Sequence, residues 1–365
     1  MSDVLIDARA LQGPSANRGI GRYAAGLLAG LAEIGFQHSV LVDADLPEPS
    51  FPDSVRRVHA TRRRWHGRLA GYEDSVALTG DLRRIRPALF HSLTLTLPGR
   101  APCPVAVTVH DLIPWAFGGW RMAGERFRYR TAHGLLRRAE LVLAVSEATA
   151  VDLRRLARVE DSRILVVHEG LEPLFQPRSG ASDRVAARWR QERPYFLFVG
   201  ALDVRKDPRG LLRAWAAARE GGAGLDLLVA GDPGRQAPAS MGDARLLGRV
   251  TDEELADLLS AAACLLFPSL YEGFGLPPLE AMGCGCPVVA YRNSSLPEVV
   301  GSAGVLVPNR DAAALGRAAA ELVLDPKKRQ RLATQGRKQA ARFSWAKTAR
   351  GTVAGYRSLL TKTAC

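Results

Sequence analysis

Apolar and polar positions come in two alternating kinds of block along these 365 residues. Short, nearly uninterrupted apolar runs predict strands buried on both faces, as in parallel sheets. They fall at Val4 to Asp7, Ser39 to Asp43, Leu89 to His91, Val105 to His110 and Leu141 to Ser146. Helical spacing separates them: from about Gly21 to Gly35, residues Tyr23, Leu27, Leu28 and Leu31 share one face. Ser146 stands where an N-cap opens a predicted helix over Glu147 to Ala157. Between Glu169 and Pro194 the composition turns to Gly, Pro, Ser and Arg, which predicts a hinge.

The alternation then resumes. Strands are predicted at Tyr195 to Gly200, Asp226 to Gly231, Leu265 to Phe267, Cys286 to Ala290 and Val305 to Val307, with a helix over Pro208 to Arg219. Thr251 and Glu254 have the spacing of a capping box. From Ala312 onward the pattern is helical, and no internal repeat occurs. Two βαβ-rich halves predict an α/β fold of two facing, doubly wound, Rossmann-like domains over residues 1–170 and 171–345. A C-terminal helix over 346–365 is expected to pack back on the first domain. Ligands of such sheets sit at the carboxyl ends of the strands, so the interdomain cleft is the expected site.

Composition narrows the picture. Hydrophobic residues make up 47% and charged residues 24%, as in globular enzymes. No apolar run approaches the ~20 residues of a membrane span, and Met1 to Asp7 lacks the features of a signal peptide; a cytoplasmic protein is expected. Five cysteines, Cys103, Cys264, Cys284, Cys286 and Cys365, form no metal-ligand spacing. The net charge of +13 suggests an anionic partner, yet no nucleic-acid-binding signature accompanies it.

The candidate chemistry centres on Glu272-Gly-Phe-Gly-Leu-Pro-Pro-Leu-Glu280. Pro277 and Pro278 preset the first turn of a helix from about Pro277 to Met282, with Glu280 inside it and Glu272 in the loop before it. A Gly-rich loop feeding a helix N-terminus offers backbone N–H groups and a positive dipole end to a phosphate. The plainer alternative is a strand-to-helix connection with a solvated and a capping carboxylate. Arg205-Lys206 follows the strand ending at Gly200, where two cations can neutralise a diphosphate as its charge grows. His110-Asp111 closes an apolar strand at its carboxyl end. Gly19-Ile-Gly21 reads as a flexible loop before the first helix; it lacks the third glycine of a dinucleotide fingerprint.

The string Pro268 to Gly283, followed by Pro287-Val-Val, resembles the carboxylate-loop-carboxylate signature of glycosyltransferase family 4, whose fold is GT-B. Gly248 to Leu255, Ser294 to Glu298, Gly19-Ile-Gly-Arg-Tyr23, His110-Asp111 and Val145-Ser146 extend the likeness to both halves. It implies a retaining, metal-independent transferase without a cofactor, using a nucleotide-diphosphate sugar as co-substrate. Glu280 would hold the donor ribose, and Glu272 would contact the transferred sugar rather than act as nucleophile. The amides of Gly273, Phe274, Gly275 and Leu276 would line sugar and phosphate, and Gly19 and Gly21 would approach the donor phosphate. Arg205 and Lys206 would carry the diphosphate, His110 would lie beside the sugar, and backbone near Arg249-Val250 would meet the base. Many relatives place an Arg directly after the strand glycine, where this chain has Ala201.

The combination Gly-Ile-Gly-Arg-Tyr with adjacent Arg-Lys looks most like mannosyl- and rhamnosyltransferases of surface-polysaccharide assembly. That implies GDP-mannose first, with dTDP- and UDP-sugars open. Acceptor specificity is expected in Arg62 to Arg68 and in Trp115 to Arg121 running on to Arg130, where cations interleave with aromatics. Together with the charge, these favour a glycan or lipid-linked saccharide acceptor, peripheral contact with an anionic membrane at the inner face of the plasma membrane, and no nucleic-acid partner. Two other readings stay open: a sugar-nucleotide epimerase or hydrolase on the same architecture, and a basic lipid- or nucleic-acid-binding module without activity.

Overall fold

The computed structural model describes residues 3–12, 16, 19–52, 55–60, 70–117, 124, 126, 130–234 and 240–363. The chain divides into two compact units, Met1–Gly170 with Ser344–Cys365, and Leu171–Phe343.

In the first unit the apolar runs form a seven-stranded, wholly parallel sheet in the order β3-β2-β1-β4-β5-β6-β7. Its strands are β1 Val4–Asp7, β2 Ser39–Asp43, β3 Arg56–Ala60, β4 Leu89–Ser92, β5 Val105–Val109, β6 Leu141–Ala144 and β7 Ile164–Val166. The uniform burial of β1, β4, β5 and β6 is what their unbroken apolar character anticipates. Edge strands β3 and β7 were not anticipated: of Arg56-Arg-Val-His-Ala60 only Val58 is buried, and Ile164-Leu-Val166 is too short to set a period. Helices α1 Gly19–Glu33, α2 Ala70–Ile85, α3 Ile113–Ala116, α4 Arg130–Leu136 and α5 Glu147–Asp152 connect the strands. Ser146 caps α5 by accepting from the Thr149 amide, but the expected helix to Ala157 widens into a π turn at Leu153–Ala157.

The C-terminal helix Trp345–Thr363 lies against α1, where two glycines allow a close approach. A Cβ on Gly26 would fall 2.0 Å from the Trp345 ring, and one on Gly30 would fall 2.3 Å from the Trp345 carbonyl oxygen. Beneath this contact a buried chain of polar groups links the helix to the sheet. Tyr23 and Thr108 hydroxyls are 3.1 Å apart, Thr108 is 2.9 Å from Nε2 of His91, and Nδ1 of His91 is 2.5 Å from the Tyr356 hydroxyl.

The second unit carries a six-stranded parallel sheet in the order β10-β9-β8-β11-β12-β13. The strands are β8 Tyr195–Val199, β9 Asp226–Ala230, β10 Arg245–Gly248, β11 Cys264–Phe267, β12 Val288–Arg292 and β13 Val305–Pro308. The helices are α6 Ala181–Trp189, α7 Pro208–Glu220, α8 Asp252–Ala261, α9 Leu276–Gly283, α10 Leu296–Val300, α11 Ala312–Leu324 and α12 Pro326–Ala340, with the C-terminal helix as α13. Strand β10 was not anticipated either, again an edge, and β12 begins at Val288 rather than Cys286. Much of the stretch expected as a hinge is helix α6. Arg178 and Arg184 hold it in the second unit by clamping Asp257 of α8 at 2.6 Å each. The capping box of Thr251 and Glu254 forms in full.

Candidate active site

The second unit builds a cluster of four charges, Asp203, Arg205, Lys206 and Glu272, after the carboxyl ends of β8 and β11. After β8 the chain makes a 3-10 turn, Val204–Lys206, capped by Asp203, whose side chain accepts from the Lys206 amide at 3.1 Å. Asp207 follows in the left-handed conformation and caps α7 through the Gly210 amide at 2.9 Å. Arg205 and Lys206 are thereby pinned between two caps. The Leu270 amide donates to the Arg205 carbonyl at 2.7 Å, fastening this turn to the segment after β11.

That segment delivers Glu272. Its carboxylate accepts from Lys206 Nζ at 2.6 Å and pairs with Arg205 at 2.9 Å, while the Ser269 hydroxyl donates to the oxygen that faces Lys206. Lys206 Nζ also lies 4.4 Å from the centre of the Phe267 ring. Lys206 is 5% exposed and Glu272 8%. Burial alone would raise the Glu272 carboxyl, but Arg205, then Lys206, outweigh it and hold the group below its ordinary range. Burial dominates at Lys206 and lowers its ammonium, against the pull of Glu272. Asp203, 3.5 Å from Arg205 and more exposed, adds a second carboxylate, so the two cations are balanced while no donor is bound.

The loop beyond Glu272 is held by side chains that the sequence reading gave no role. The Glu272 amide donates to Ser294 Oγ at 2.9 Å, and Ser295 Oγ donates to the carbonyls of Glu272 and Phe274 at 3.2 and 2.6 Å. Gly275 takes φ 109° as the N-cap of α9, a conformation that side chains resist, and so turns the chain into the helix. Pro277 and Pro278 carry no N–H and the Leu279 amide donates to the Gly275 carbonyl at 3.3 Å, so in the first turn of α9 the Leu276 amide alone has no intrahelical acceptor. Glu280 lies one turn into α9 and is 2% exposed. Val250, half-buried, immediately precedes the Thr251 cap of α8.

The first unit holds the remaining predicted residues. His110 follows β5; its Nδ1 lies 3.3 Å from the Glu169 carboxylate and its Nε2 3.2 Å from the Leu93 carbonyl. The Tyr23 ring meets the imidazole edge-on, with centroids 4.7 Å apart. Gly19 and Gly21, expected in a flexible loop, are the first residues of α1. A Cβ at Gly19 would meet nothing within 4 Å. Arg62 to Arg68 lies outside the described residues, as do residues 118–123, 125 and 127–129; Trp115 stacks on His133 at 4.3 Å. Among the described residues no group of three His, Cys, Asp or Glu side chains could hold a metal, and no helix is long and apolar enough to cross a membrane.

Residues 181–339 match the family described as "Glycosyl transferases group 1", and residues 17–173 match that described as "Glycosyltransferase Family 4". O-antigen chain mannosyltransferase B of Escherichia coli is 30% identical over 329 residues, covering 86% of this chain and 81% of that protein. The chain is a family 4 glycosyltransferase. The glycosyltransferase is also 36% identical over 236 residues to the MMP alpha-(1->4)-mannosyltransferase of Mycolicibacterium hassiacum, covering 61% of this chain and 55% of that enzyme. Sucrose-phosphate synthase from Thermosynechococcus elongatus superposes with a TM-score of 0.79 at 22% identity, covering 99% of this chain and 100% of that one. Anabaena Alr3699/HepE, solved with UDP and glucose, superposes with a TM-score of 0.73 at 17% identity, covering 98% and 100%. These likenesses place the glycosyltransferase in the GT-B fold.

Proposed function

We propose that this enzyme is a retaining mannosyltransferase that takes its sugar from GDP-mannose. The observation that carries the donor-site reading is the buried cluster of Arg205, Lys206 and Glu272 beside the N-terminus of α9. Its two adjacent cations, with the backbone amides of the loop that leads into α9, suit a diphosphate whose charge grows as it leaves. Two mannosyltransferases among the relatives favour mannose over other hexoses.

Arg205 and Lys206 hold the diphosphate, Glu272 and the amides from Gly273 to Leu276 hold the sugar, and Glu280 anchors the ribose. Backbone at Val250 meets the base. Gly19, beside which a Cβ would meet nothing within 4 Å, leaves room for a phosphate that the Gly21 backbone approaches, and His110 contacts a sugar hydroxyl. Glu272 is tied by two cations and a serine hydroxyl, an environment that stabilises a carboxylate rather than freeing it for attack. Transfer on one face of the ring follows: the acceptor oxygen bonds to the anomeric carbon, the bond to the β-phosphate oxygen breaks, and that oxygen takes the acceptor's proton. The acceptor is a glycan or lipid-linked saccharide, reached from an anionic membrane surface to which this basic chain binds peripherally.

The test is donor turnover with GDP-mannose, UDP-glucose and a dTDP-sugar, each with and without a polymannose acceptor. Acceptor-dependent release of GDP with α-linked product is expected. Preference for UDP- or dTDP-sugar, or a β-linked product, would refute the assignment. Salt-sensitive sedimentation with anionic vesicles is expected, and its absence removes the membrane contact.

A further inference from the structure

Glu169 lies 59 residues beyond His110, just before the first unit's stretch ends at Gly170. Its carboxyl is 4% exposed, and among the described residues its side-chain hydrogen-bond partner is the His110 imidazole, Nδ1 to Oε1 at 3.3 Å. On the far side of the ring, Nε2 faces the Leu93 carbonyl at 3.2 Å. Among the described residues, the other groups around the ring compete for neither nitrogen. Tyr23 presents its ring, with its hydroxyl engaged by Thr108, and the Thr149 hydroxyl donates to the backbone carbonyl of His110 at 3.4 Å.

Both groups aimed at the ring nitrogens are therefore acceptors, whereas a neutral imidazole carries a single N–H. One contact is a hydrogen bond and the other sets a lone pair against an oxygen. A buried carboxylate loses more than a carbonyl when it faces a lone pair, because it is charged and its hydrogen bonds are the stronger ones. The proton belongs on the nitrogen that faces Glu169.

We propose that Glu169 is a positioning residue of this glycosyltransferase, which keeps the His110 proton on Nδ1 and fixes the ring for its contact with the transferred sugar. The inference rests on the reading of His110 as a sugar contact. It adds a group that acts through the histidine, as a carboxylate behind a metal-bound or catalytic imidazole does.

The test compares the full-length wild type with Glu169→Gln, Glu169→Asp and His110→Ala. The imidazole signals of His110 are identified by their loss in His110→Ala, and nitrogen chemical shifts report which ring nitrogen carries the proton. The wild type should show Nδ1 protonated. In Glu169→Gln the new amide can donate to Nδ1, so the proton should move to Nε2 and bond to the Leu93 carbonyl. kcat/KM should fall about 10–100-fold in Glu169→Gln, and Glu169→Asp, which keeps the charge, should retain more activity than the isosteric Gln. A wild-type ring protonated on Nε2 alone overturns the proposal, and this needs no variant to fold. A Gln variant milder than Asp, with an unchanged nitrogen spectrum, also overturns it. If His110→Ala leaves turnover intact while the Gln variant still switches the proton, the sugar-contact reading fails and the proton placement stands.

Discussion

Lys206 and Glu272 invite a double perturbation: Lys206→Met, Glu272→Gln and the two together. At an effective dielectric of ~20, unit charges at their 2.6 Å separation attract by about 6 kcal/mol. Removing both ions from water costs several kcal/mol each, so the net value of the pair is far smaller. The Lys206→Met variant leaves Glu272 buried, but Arg205 remains at 2.9 Å and Ser269 still donates. About half the compensation survives, and we expect a loss of about 2–3 kcal/mol rather than the ~3–5 kcal/mol of a fully orphaned buried charge. Glu272→Gln should cost more, about 3–4 kcal/mol, because it leaves the buried Lys206 without its partner and Arg205 with only the more exposed Asp203 at 3.5 Å. The double variant should be milder than the sum, with a coupling of about 2 kcal/mol. Urea unfolding of all four proteins at a common slope measures it. A coupling below about 0.5 kcal/mol would show that the ions do not stabilise one another and refute the reasoning. In the same variants kcat tests the donor role: Lys206→Met should lower it about 10²–10³-fold, and an unchanged kcat would remove Lys206 from the diphosphate site.

Two further outcomes are expected in the first unit. Burial pushes the His91 imidazole down from its ordinary value near 6.5 to about 3. Its depressed value favours the neutral ring in the fold, so this stability is complete above pH 6.5. It is lost by up to about 1.4 kcal/mol per pH unit as the pH falls toward 3. His91→Gln should be less stable at pH 7 yet show a shallower acid slope in melting temperature; equal slopes would contradict this. Gly26→Ala and Gly30→Ala should each destabilise by about 1–3 kcal/mol through overpacking. Because Gly26 meets the Trp345 ring and Gly30 meets its backbone, Trp345→Leu should rescue the first and not the second; equal rescue would refute the contact geometry.

Much of the fold could be read from periodicity because most of its strands are buried on both faces and therefore uniformly apolar. The strands that escaped, β3, β7 and β10, are sheet edges: β3 exposes polar side chains, and the apolar stretches of β7 and β10 are only two or three residues long, too short to set a period. Helix α6 escaped for a related reason: it is held by Arg178, Arg184 and Asp257, charges that look like a linker in one dimension. At the site, the order Gly-rich loop, diproline and helix was written locally, since each residue acts on its own backbone conformation.

By itself, then, the sequence determined what local chemistry and period encode: two α/β halves, the Ser146 and Thr251 caps, the Gly-rich loop opening into a helix and the family to which the chain belongs. The tertiary structure alone decided which charges became partners. Lys206 and Glu272 are 66 residues apart, His110 and Glu169 are 59, and His91 and Tyr356 are 265. None of these separations leaves a mark on composition or spacing. A buried charge or imidazole must find its partner in space, and parallel strands bring together residues that the chain keeps far apart.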